Sequence, residues 1–214
     1  MSHVKIRHIL RLILIFLFSY FAYLFLWLLI KPYYGGGLVY VASHLVAKMR
    51  DMKVEGVSFG REESTVSFLV ERYSYGGKIR LGFDLNIPVS RYTFNVPLTL
   101  AILTGLYFCF LESKRPFVEA LFFLVVMHLV YLLSFENLHT YHILVHNGVI
   151  FPRKWEQIWG EFWWVFSDNM LIRFEPFLIN LYFLFRSSGG GGMRGPRRSK
   201  TAGSLYTGRK GRHS

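Results

Sequence analysis

IRLGFDLNIPVSRYTFNVPLTLAILTGLYFCFL, residues 79–111, changes character midway. Ile79, Leu81, Phe83, Leu85 and Ile87 alternate with Arg80, Gly82, Asp84 and Asn86, the period of two that marks a half-buried strand. From about Val96 to Leu111 the residues are almost all apolar and read as a membrane span, short unless Tyr92 to Asn95 extend it at the interface. The change falls between Pro88 and Pro97. A polar β module is therefore expected to join a membrane bundle directly, and the other segments are placed relative to that joint.

Upstream, Thr65 to Tyr75 alternates as well, with Val66, Phe68 and Val70 on one face, and Gly76-Gly77 signals a hairpin to the strand that follows. A short third strand is expected near Val54 to Phe59. Two strands alone are marginal, so a helix or the membrane must cover the apolar face. Leu38, Val41, Leu45, Val46, Met49 and Met52 recur at helical spacing, which predicts an amphipathic helix, cut off from what precedes it by Pro32 and Gly35 to Gly37. Ahead of that break, Ile9 to Ile30 is long enough to cross a bilayer, follows Lys5, Arg7 and Arg11, and ends without a cleavage site. It reads as a retained signal anchor with a cytoplasmic amino terminus.

Downstream, Glu112 to Pro116 forms a polar turn and Phe117 to Phe135 a third span, with Glu119 near its start and His128 near its middle. Residues 136–160 read as a polar return loop containing an Asn147-Gly148 turn. Residues 161–186 are apolar but interrupted by Asp168, Asn169, Arg173, Glu175, Pro176 and Asn180, which predicts a kinked fourth span or an interfacial helix that crosses only from about Leu171. The expected fold is a membrane α+β protein with four transmembrane helices and a small extracytoplasmic β-rich module between spans one and two. The expected divisions are 1–31 (cytoplasmic amino terminus and anchor), 36–95 (helix and β module), 96–135 (spans two and three), 136–160 (extracytoplasmic loop), 161–186 (fourth span) and 187–214 (disordered basic cytoplasmic tail). This topology puts the amino terminus, the Lys114-Arg115 turn and the tail on one side, as the preference for basic cytoplasmic loops requires.

Composition agrees. The 214 residues are 52% hydrophobic and 18% aromatic, with a formal net charge of +12. Arg186, Arg194, Arg197, Arg198, Lys200, Arg209, Lys210 and Arg212 supply eight of those charges with no acid among them, so the basicity belongs mainly to the tail. Residues Arg194, Arg197, Arg198, Lys200, Arg209, Lys210 and Arg212 are candidates for binding anionic lipid headgroups, an attraction of about 1 kcal/mol per basic residue. Nucleic acid is the poorer partner, because the tail holds a single aromatic, Tyr206, for base stacking. Cys109 is the lone cysteine, which excludes an intrachain disulfide and a cysteine-based zinc site. Nothing nearby would lower its pKa, and it reads as a small buried residue.

Two groups of residues could carry chemistry. Glu136, His139, His142 and His146, at spacings of three, three and four, share one face if helical and could hold zinc. Asp168, Arg173 and Glu175 lie close to the hydrocarbon region, where unpaired charge is costly. Glu119 or Asp168 is the expected answer to Arg173, and Arg91 to Glu175, with Pro176 disfavouring helix at Glu175. No triad pattern and no phosphate-cradling glycine loop occurs, and no cofactor is expected.

The order of elements, together with Leu85-Asn86-Ile87-Pro88 leading into Arg91-Tyr92-Thr93-Phe94-Asn95-Val96-Pro97-Leu98, resembles the exosortase-associated membrane proteins, particularly the exosortase H-associated type. The likeness covers about the first half of the chain; the histidine-containing loop and the long tail depart from it. It implies a non-enzymatic accessory subunit of an envelope protein-sorting system in the inner membrane of a Gram-negative bacterium, working beside a membrane enzyme of exosortase type. Arg173, Glu175, Asp168, Asn86 and Tyr92 are then the candidates for docking that partner. The alternative is a membrane-embedded metal-dependent hydrolase or transferase that uses the histidines.

Overall fold

The computed structural model of the chain describes residues 2–60, 62–74, 77–109 and 114–189. Gly76 of the hairpin, Glu112 and Ser113 of the turn, the Cys109 side chain and all seven tail cations named as lipid ligands lie outside the described residues. Helix α1 (Ser2–Arg50) leads into strands β1 (Lys53–Phe59), β2 (Glu63–Ser74) and β3 (Gly77–Pro88). The short α2 (Val89–Thr93), then α3 (Asn95–Cys109), α4 (Arg115–His146), α5 (Lys154–Phe166), a π-helical turn (Ser167–Leu171) and α6 (Ile172–Gly189) complete it. The architecture is α+β, and two helical stretches, Ile9–Arg50 and Arg115–His146, are long and apolar enough to cross a membrane.

The expected break at Pro32 and Gly35–Gly37 is absent: α1 runs unbroken through both. The glycines serve packing. A Cβ on Gly35 would collide with the Val89 side chain, and one on Gly36 would stand 2.8 Å from the Phe59 ring. They let α2 and the end of β1 settle against the helix backbone. At about 1.5 Å per residue the 49-residue α1 is roughly 74 Å long, more than twice a hydrocarbon layer of roughly 30 Å. The stripe facing inward is the expected one only in part, with Leu38, Val46 and Met52 buried. Val41, Leu45 and Met49 are exposed, and Leu38, Val39, Ala42, Ser43, Val46 and Ala47 are buried. Small side chains on that stripe let the neighbouring elements approach closely.

What approaches is the sheet, an antiparallel β1-β2-β3 meander. Phe68 pairs with Phe83, Val66 with Leu85 and Val70 with Leu81, so the alternation on both strands puts one apolar face toward α1 and α4. Val66, Phe68, Val70, Leu85 and Ile87 are buried there, while Leu81 and Phe83 close the edge half-covered. The same core continues through Val89, Tyr92, Tyr131, Leu132, Phe135 and Leu144. A second core, of Trp27, Val96, Leu103, Ala120, Leu124, Ile179 and Phe183, joins α1, α3, α4 and α6 at the far end.

Two expected boundaries move. The return loop of 136–160 is mostly helix, because α4 continues to His146 before Gly148, at φ +66°, lets the chain turn. The polar residues 136–146 hid an apolar stripe of Phe135, Leu138, Tyr141 and Leu144 that extends the buried face of the helix. The last helical stretch starts at Lys154, not Glu161, and it stays helical across Glu175 and Pro176. Pro176 cannot donate to the carbonyl four residues back, that of Ile172. Asn95 Nδ2 donates to that carbonyl instead, so the bond lost to the proline is replaced from α3.

Candidate functional site

Beneath the sheet, three helices meet at a buried polar seam. Tyr34 of α1 hydrogen-bonds His128 Nδ1 of α4 at 2.8 Å, and His128 Nε2 lies 3.1 Å from Glu175 Oε2 of α6. His128 and Glu175 are wholly inaccessible, and Glu175 Oε1 has no hydrogen-bond partner. With the imidazole neutral, Nε2–H donates to the carboxylate and Nδ1 accepts the Tyr34 hydroxyl. The three residues thus form a hydrogen-bonded relay that joins α1, α4 and α6.

Aromatic rings enclose this relay. The Tyr92 ring sits 5.8 Å from His128 and 5.5 Å from Tyr131. Burial, with the Glu136 charge adding to it, pushes the Tyr92 phenol well above its ordinary range. Lys31 Nζ donates to Ser90 Oγ at 2.5 Å, and Arg91 pairs with Asp168 at 3.0 Å while its guanidinium lies 5.8 Å over Trp164. The π turn places Asp168 for that pairing and brings Ser167 to 3.3 Å from Ser134. At the far end of α4, Glu119 pairs with Arg186.

The expected charge pairs are therefore redistributed. Asp168 answers Arg91, Glu119 answers Arg186, and Glu175 answers His128. Arg173 is exposed and makes no ion pair among the described residues. Of the five docking candidates, Arg173 and Asn86 face outward, Asp168 is engaged with Arg91, and Tyr92 and Glu175 are fully buried, out of a partner's direct reach. Asn86 accepts a hydrogen bond from Thr65 across the sheet.

The other group disperses around α4. Glu136 turns into the core, whereas His139 bonds its own helix at the Phe135 carbonyl and packs on Phe135 and Trp164. His142 Nε2 stands 4.0 Å from Glu161, and His146 is exposed at the helix end. Among the described residues no group of three or more His, Cys, Asp or Glu is arranged to hold a metal ion.

Two open grooves flank Arg50. One, of about 460 Å³, lies between α1, α4 and α5 and is lined by Met49, Leu133, Asn137, Trp159 and Trp163. The other, of about 390 Å³, is bordered by Arg72, Leu144, Phe151 and Arg153. Arg50 itself is committed, to Glu156, to Asn137 Oδ1 at 2.8 Å and to the face of Tyr141 at 5.2 Å. The sequence marks Glu175 as a costly charge and places His128 near the middle of an apolar stretch, but Tyr34 stands in an aromatic run with nothing local to mark it. Neither a protein-family model, nor a curated protein, nor a solved structure matches this chain.

Proposed function

We propose that this chain is a non-enzymatic accessory subunit of an exosortase-like envelope protein-sorting system, held in the bacterial inner membrane by four crossings with both termini cytoplasmic. The crossings are α1, α3, α4 and α6. Arg11, Lys114, Arg115 and Arg186 then mark the cytoplasmic level, and Lys31, Ser90, Arg91 and Asp168 the outer one. The described part of α3, 15 residues, spans about 22 Å.

One observation carries the accessory reading. Helix α5 buries none of its residues and turns Trp155, Ile158, Trp159, Phe162 and Phe166 outward, on the stretch that runs alongside the outer half of α4. Rows of exposed tryptophan and phenylalanine are the composition of a protein-binding hot spot. Arg91 with Asp168, Glu119 with Arg186 and His128 with Glu175, by contrast, answer one another, and the buried relay lines neither groove. The likeness of the Leu85 to Leu98 junction to exosortase-associated proteins supplies the class of partner.

The test is affinity purification from native membranes. A membrane enzyme of exosortase type is expected to accompany the full chain, and Trp159→Ala with Phe162→Ala, or Arg173→Ala, is expected to lower its recovery without lowering the chain's own abundance. Recovery of no enzyme, or recovery unchanged in these variants, would overturn the proposal. Chelation separates the rival hydrolase reading: sorting that stops on metal removal and resumes on zinc addition, with the complex intact, would favour the histidines of α4.

A further inference from the structure

A second buried carboxylate lies above the relay, and its surroundings are different. Glu136 of α4 is fully inaccessible, and both its oxygens lack a hydrogen-bond partner. No Lys, Arg or His among the described residues pairs with it. The groups that face it are Ser43 of α1, Thr140 one helical turn further along α4, and, from α2, the neutral Tyr92. The hydroxyls of Ser43 and Thr140 are inaccessible and unpartnered too.

Those two hydroxyls are unusual within this molecule. Buried serine and threonine in a helix ordinarily bond the carbonyl four residues back. Thr93, Thr99, Thr104 and Ser134 all do so here, at 2.8 to 3.0 Å. Ser43 and Thr140 do not; Ser43 lies close enough to Glu136 to act on its carboxylate, and Thr140, four residues on, shares its face of α4. A buried carboxylate with no cationic side chain paired to it among the described residues is thus neighboured by one buried hydroxyl from α1 and one on its own face of α4. Burying an isolated carboxylate is costly unless a positive charge accompanies it.

We propose that Ser43, Glu136 and Thr140 form a binding site for a monovalent metal cation between α1 and α4. The donors are all hard oxygens, which excludes the soft transition metals as preferred occupants. A single carboxylate is too little charge for Ca²⁺, which takes six to eight oxygens and commonly several carboxylates. One unit charge balances Glu136, and the hydroxyls replace part of the ion's hydration shell. The site bridges the outer half of α1, which carries the sheet, to α4, so its occupancy stabilises the seat of the β module. It stands independently of the accessory role.

The experiment is a thermal melt of the purified full chain in detergent, at one neutral pH, with Na⁺ titrated against choline at constant ionic strength. Na⁺ is expected to raise the melting temperature saturably. Glu136→Gln, an uncharged isostere, is expected to abolish that increment. Thr140→Ala and Ser43→Ala are expected to move its midpoint to higher Na⁺, and Thr93→Ala, whose hydroxyl is bonded to its own helix, to leave the midpoint in place. A melting temperature that responds to pH but not to Na⁺ would mean that a proton alone neutralises Glu136 and would overturn the site. So would an increment that Thr140→Ala leaves unmoved, which decides the matter even if Glu136→Gln fails to fold, or a larger increment from Ca²⁺ at equal ionic strength.

Discussion

The seat of the sheet and the seam beneath it are built on opposite plans within one continuous core. The seat is apolar: Val66, Phe68, Val70, Leu85 and Ile87 cover the small-residue stripe of α1, and their contribution grows with area removed from water. The seam is polar: Tyr34, His128 and Glu175 hold three helices through two hydrogen bonds, and each group is tolerable only because the next one answers it. A seat of this kind degrades gradually as side chains shrink. A seam fails when one partner is removed and recovers when both are.

The largest effect is expected where the seat is invaded by charge. Phe68→Asp removes a wholly buried aromatic and strands a carboxylate, at a cost of about 5 kcal/mol or more. Phe83→Asp, at its half-covered cross-strand partner, should cost several kcal/mol but less than Phe68→Asp. Membrane abundance and protease resistance of the two variants check the order. Equal tolerance of both would mean that the sheet face is not seated on α1.

Next comes the seam. His128→Ala or Glu175→Ala leaves one buried group unanswered and should cost about 3–5 kcal/mol in a denaturant titration in detergent. Replacing both with leucine should cost less than either single change. Additive losses would show that the two side chains act as separate packing elements and would break the contrast with the seat. At the seam's edge, Asn95→Ala strips the Ile172 carbonyl of its replacement donor, a loss of about 1–3 kcal/mol, read in the same titration.

The smallest effect on stability belongs to Arg173, which takes part in neither region. Arg173→Ala should shift unfolding by no more than about 0.5 kcal/mol, as for an exposed residue without partners. Its expected consequence is on partner recovery alone. A large destabilisation would place Arg173 inside the seam.

Much of the seat was legible in advance. The alternation at Ile79 to Ile87 and at Val66 to Val70 sets the two faces of β3 and β2, since side chains on a strand alternate whatever the strand packs against. The apolar lengths of α1 and α4 likewise follow from composition. Local rules misled where a residue's reason lay across the fold. Gly35 and Gly36 read as a helix break and are clearance for Val89 and Phe59. Residues 136–146 read as a loop because their polar side chains obscured the Phe135, Leu138, Tyr141, Leu144 stripe.

By itself, the sequence determined that strand gives way to apolar helix at Pro88 to Pro97 and that ionisable groups interrupt apolar stretches, because period and hydropathy are local properties. Only the tertiary structure decided which groups answer one another: His128 for Glu175, Arg91 for Asp168, Asn95 for the carbonyl that Pro176 leaves free. Pairing depends on the relative height and rotation of helices far apart in the chain. Those are settled by packing, which hydropathy and periodicity do not encode.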